Sequence, residues 1–94
     1  MSKRDEYIEK MKLQLDEVNA RMNELQAKAQ AAKQDARDTY EAEMAKLRQQ
    51  SQLALAKLDE LRVAGEDTWE TMVAEMEKIR DAFTHSFHYF KSQL

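Results

Sequence analysis

Residues 62–70 read RVAGEDTWE, and they hold the only glycine in a chain of 94 residues that contains no proline. A chain with so little turn chemistry must turn where it can, and Gly65 enters the left-handed conformation of a helix C-cap without steric cost. Asp67, followed three residues later by Glu70, has the form of a capping box, in which each side chain accepts from an amide left unpaired at a new helix N-terminus. One helix therefore ends at this stretch and another begins, with Trp69 placed to anchor the junction by its large ring. At the start of the chain Ser2 and Asp5 have the same capping form, so the boundaries fall at about 3–63 for a first helix and about 67–93 for a second.

The composition outside the turn supports helices and nothing else. Charged residues make up 35% of the chain, and the remainder is mostly Ala, Leu, Met and Gln, residues of high helix propensity. Strands would need β-branched runs separated by Gly, Asn, Asp or Pro clusters, which are not found. The reading is one all-α domain over residues 1–94, a long helix folding back on a shorter one as an antiparallel coiled-coil hairpin.

Along the first helix, Ile8, Met11, Leu15, Val18, Met22, Leu25, Ala29, Ala32 and Ala36 follow one another in steps of three and four, which is a heptad seam. From Ala32 through Ala36 and Tyr40 to Met44 every step is four. Alternation then resumes at Leu47, Ser51, Ala54, Leu58 and Leu61, one residue out of phase, and such a skip locally relaxes a supercoil. Leu53 and Leu55 widen the apolar face beyond the skip, suggesting contact with more than one helix. The second helix presents Trp69, Met72, Met76, Ile79, Phe83 and Phe90, with Val73, Phe87 and Leu94 beside that line.

The lengths of the two helices do not match, and this predicts assembly. At 1.5 Å per residue the first is roughly 90 Å long and the second about 40 Å, so a hairpin at Gly65 leaves the seam from Ile8 to Ala32 bare. A stripe of that length exceeds what soluble monomers tolerate, and a second chain is expected to cover it. The favoured arrangement is an antiparallel homodimer with its axis near residue 32, where Ala29, Ala31, Ala32 and Ala36 let two backbones approach. Each end would then be a three-helix bundle. A parallel dimer, with both hairpins at one end, ranks second.

Chemical sites are sought next. Residues 84–91, THSFHYFK, carry both histidines among Phe87, Tyr89 and Phe90. Helical spacing puts the phenylalanines on the buried stripe and His85 and His88 on the opposite side, where Asp81 one turn earlier could join them in a surface cluster for Zn²⁺ or Cu²⁺. No second ligand shell is foreseeable, so the expectation is solvated histidines and no metal site. The carboxylates lie on charged helix faces, mostly within four positions of a basic residue, as in Glu6/Lys10, Glu17/Arg21 and Glu24/Lys28. The sequence has no phosphate-cradling glycine loop, no nucleophile turn and no cysteine, so neither catalytic residues nor a cofactor are expected.

The net charge of −3 is spread evenly, without the basic stripe a nucleic-acid partner would require. No apolar run reaches the length of a membrane span, and the opening MSKRDEYIEKMK places charges where a signal peptide needs apolar residues, so the default expectation is a cytoplasmic protein. Six methionines, four of them on the seams, act as core filling.

The stretches RDEYIEKMKLQLDEVNA, AKAQAAKQDARDTYEAEMAKL and AGEDTWETMVAEMEKIRDAF resemble a group of short bacterial coiled-coil proteins of unknown role. The resemblance covers nearly the whole chain and is most specific from Gly65 to Trp69. It implies a bacterial helical hairpin and supplies no catalytic or binding residues. Three function classes remain open. The first is a self-associating structural, scaffolding or protein-binding coiled coil with an unidentified protein partner. The second is an amphipathic protein of a lipid or granule surface, against which stands the mixed, net acidic polar face. The third is a weak metal binder acting through the histidines.

Overall fold

The computed structural model describes residues 3–32 and 34–93, and of residue 35 the backbone alone. Among these residues there are three helices and no strand: α1 (Lys3–Gln30), α2 (Gln34–Arg62) and α3 (Glu66–Gln93). They pack side by side into a bundle of 50 × 20 × 17 Å. Ser2 and Leu94, placed by the sequence at a cap and at the end of the apolar stripe, lie outside the described residues.

The expectation of one helix from about 3 to 63 is corrected: the chain bends after Gln30, and α2 returns antiparallel along α1. The amide of Ala31 donates to both Ala27 and Lys28 carbonyls (3.3 and 3.2 Å), and that of Ala32 to Ala29 (3.2 Å). The two i→i−3 bonds, to Lys28 and Ala29, tighten the final turn of α1. Energetics explain the bend. It buries Ile8, Met11, Leu15, Met22 and Leu25 against the other two helices, each worth about 1.5–3 kcal/mol. Interrupting the helix forfeits a few backbone hydrogen bonds worth about 1 kcal/mol net apiece. Burial wins, and the seam that a straight helix would leave bare is covered within the chain.

The second turn falls at residues 63–65, where the sequence puts it, but its chemistry differs. No described glycine has positive φ, so Gly65 is not a left-handed C-cap. It is the residue before α3, and its carbonyl accepts from both the amide and the hydroxyl of Thr68, each at 3.2 Å. α2 closes instead through Val63 and Ala64 amides donating to Glu60 and Leu61. Asp67 and Glu70 consequently sit inside α3 rather than forming the expected box. Glu66 and Asp67 occupy its first turn, where their charge complements the helix dipole.

One core runs the length of the bundle. α1 contributes Ile8, Met11, Leu15, Met22, Leu25 and Ala29; α2 Met44, Leu47, Ala54, Leu58 and Leu61; α3 Met76, Phe83, Phe87 and Phe90. Val18, Tyr40, Leu55, Trp69, Met72, Val73 and Ile79 pack half-buried around it. Ala32 and Ala36 flank the bend and are half-buried. Leu53, expected to help widen the face of α2, is 61% exposed; Leu55 alone fills that role.

Candidate functional site

The bundle is fastened by polar and aromatic contacts that sort by helix pair. Between α2 and α3, Tyr40 meets the edge of Phe90 (centroids 5.8 Å, 85°) and donates its hydroxyl to the Gln93 carbonyl at 2.9 Å. Near the other end the Lys57 ammonium pairs with Glu75 across the helices and with Glu60 at 3.1 Å. These carboxylates, Glu75 first, hold the lysine above its usual pKa. With the turn at residues 63–65, these contacts fasten both ends of an α2–α3 hairpin.

α1 is held by a different set. The Ser51 hydroxyl, within the core, donates to the Asn19 amide oxygen at 2.7 Å, and the Arg48 guanidinium donates to Gln26. Towards α3, Arg80 donates to Gln14 at 3.3 Å. At the start of the two parallel helices, Tyr7 packs edge-on to Trp69 (5.8 Å, 78°), the Arg4 guanidinium lies 4.8 Å over the same indole, and the Tyr7 hydroxyl faces Glu77 at 3.5 Å. Burial, then the Glu77 carboxylate, raises the Tyr7 pKa. Trp69 thus anchors α1 to α3 through Tyr7 and Arg4. Moving forward along α1 from Asn19 to Gln26, the partner moves backward along α2 from Ser51 to Arg48, as antiparallel helices require.

The histidine face is laid out in the open. His85 and His88 are exposed, and the His88 ring lies edge-on to its neighbour Phe87 at 5.5 Å. Asp81 is engaged by the Arg80 guanidinium at 2.9–3.0 Å. Among the described residues no three His, Asp or Glu side chains are arranged to hold a metal. Phe87 and Phe90 are core, as is Phe83 before them, so the phenylalanines of THSFHYFK are packing, while its histidines and Tyr89 are surface. Grooves between the helices are shallow. That between α1 and α3 is edged by Glu17, Arg21, Arg80, Asp81 and His88, charges of both signs with no buried acid or base at its floor.

Two features escape the sequence reading. The bend after Gln30 had one signal, the three consecutive steps of four from Ala32 to Met44, which mark where the seam stops suiting a continuous coil. The Tyr7–Trp69–Arg4 cluster had none, because it joins residues more than sixty positions apart.

The site and fold define a small, all-helical protein whose distinctive side chains are spent on contacts between its own helices. No protein-family model, curated protein or solved structure matches the chain. No helix among the described residues is long and apolar enough to cross a membrane.

Proposed function

We propose that this chain is a non-enzymatic helical protein that acts by packing: it self-associates as an antiparallel homodimer and serves a structural, scaffolding or protein-binding role. The observation that carries the reading is the phase of the buried faces on either side of the bend. At roughly 100° per residue, the buried positions of α1 (Met11, Met22, Ala29) and of α2 (Met44, Ala54, Leu58) fall on the same side of one continuous helix. A bend made only to close a monomer carries no requirement for such a match. A seam built to be shared between two chains does.

Among the described residues the exposed large apolar side chains, Leu13, Leu53, Val63 and Tyr89, fall singly on α1, α2, the second turn and α3, which favours this over a lipid-surface role, where one helix would present several of them in a stripe. Light scattering across a concentration series tests the reading: mass rising towards two chains supports it, and one-chain mass throughout overturns it. Flotation with vesicles would promote the surface-binding alternative.

A further inference from the structure

We propose that the partner is a second copy of this chain and that the two exchange α1, which swings out on the Ala31–Ala32 bend and docks on the α2–α3 hairpin of the other. The inference rests on the self-associating reading and gives it a mechanism. Three observations converge on it.

The first is the contrast between the two connections. The turn at residues 63–65 carries the glycine and is tied down by the two bonds from Thr68 to the Gly65 carbonyl. The bend carries Ala31 and Ala32, the residue type that most favours helix, in a conformation that breaks one. Neither Ala31 nor Ala32 has positive φ, so neither must leave the left-handed region to return to helix. A local preference set against the closed fold is the condition under which a hinge opens to a partner.

The second is the division of contacts. Tyr40 with Phe90 and Gln93, and Lys57 with Glu75, hold α2 to α3 without α1. The Asn19–Ser51, Gln26–Arg48 and Tyr7–Trp69 contacts hold α1 to that hairpin and can be remade identically by the α1 of another copy. The third is phase: straightening the bend leaves the faces of α1 and α2 on one side, so each long helix offers both halves of its seam to an antiparallel mate.

Preserving the Asn19–Ser51 pairing between chains puts the two-fold axis midway between these positions, near Ala36 rather than residue 32. There a small side chain lets the two long helices cross closely. Closed monomer and exchanged dimer then share every core contact. They differ in the bend and in the entropy of association, so concentration during folding selects between them.

The test joins α1 to α2 covalently. Asn19→Cys with Ser51→Cys is introduced into the cysteine-free chain, refolded over a range of concentrations, oxidised, and analysed without reductant alongside light scattering. Exchange predicts covalent dimers whose share rises with refolding concentration. Single-chain disulfides at two-chain mass would overturn exchange while leaving self-association standing. Single-chain disulfides at one-chain mass throughout would overturn both. Should that pair impair folding, Gln26→Cys with Arg48→Cys poses the same question. As a second arm, Ala31→Gly with Ala32→Gly puts four glycines into the straightened helices of a dimer. At about fivefold disfavour each, dimer formation should weaken by several hundredfold, and an unchanged dimer fraction would refute the hinge.

Discussion

Replacing Leu15 by Ala probes whether α1 belongs to the core of the single chain. Leu15 is 1% exposed and shares a cluster with Leu58, Met76 and Phe83. The substitution removes three carbons, about 2.4 kcal/mol of transfer free energy at ~0.8 per methylene, and leaves a cavity that helices held at both ends close only partly. The expected loss is about 3–4 kcal/mol, within the span measured for buried leucines. For a domain of this size that lowers Tm by roughly 15–25 °C. Urea denaturation followed by circular dichroism, at concentrations where light scattering shows one chain, measures it. Leu13, on the same helix but 63% exposed, is the control, and Leu13→Ala should cost under about 0.5 kcal/mol. If the two substitutions cost the same small amount in the monomer, α1 is not packed on α2 and α3 and the three-helix fold is wrong.

The remaining expectations concern polar groups. The amide oxygen of Gln50 is buried without a hydrogen-bond partner, so Gln50→Met should raise unfolding free energy by about 1 kcal/mol; a loss of stability would show that the amide is engaged. Tyr7 and Lys57 both have raised pKa values in the fold. Their stabilising effect is complete below the unfolded values of about 10 and 10.4 and is lost as pH climbs through the higher folded ones. Stability should hardly respond to these two groups at neutral pH and should fall above about pH 10. Tyr7→Phe should flatten part of that fall in urea titrations, and an unchanged slope would contradict the assignment. Zn²⁺ should bind the His85/His88 face only weakly by calorimetry, because exposed side chains must be ordered before they ligate. A submicromolar site abolished by His88→Ala would disprove this.

The stripes of the fold were legible because they are periodic. Steps of three and four named Ile8, Met11, Leu15, Met22 and Leu25 on α1, Leu47, Ser51, Ala54, Leu58 and Leu61 on α2, and Met76, Phe83, Phe87 and Phe90 on α3, and all are buried. The same periodicity set His85 and His88 outside. What covers a stripe is a different matter, since a heptad seam has the same pattern whether its neighbour comes from its own chain or another. Alanine compounds the ambiguity. Ala31 and Ala32 read as helix by propensity, and only the burial gained by residues far up α1 outweighs that preference. At Gly65 the position of the turn was legible and its geometry was not, because glycine suits both a left-handed C-cap and the residue preceding a helix. The long-range pairs, Tyr7 with Trp69 and Tyr40 with Phe90, depend on the bundle's register and leave no local mark.

The fold-back after Gln30 is tested most directly by one intramolecular distance. Lys10 on α1 and Glu60 on α2 are both exposed and lie at matching heights of the antiparallel pair, since Asn19 faces Ser51. Spin labels at these two positions, in a dilute sample where the chain is monomeric, should report a separation of about 20 Å, set by an interaxial distance of 8–10 Å plus the label arms. A continuous helix would hold the labels about 75 Å apart at 1.5 Å per residue, and that long distance in the monomer would contradict the account.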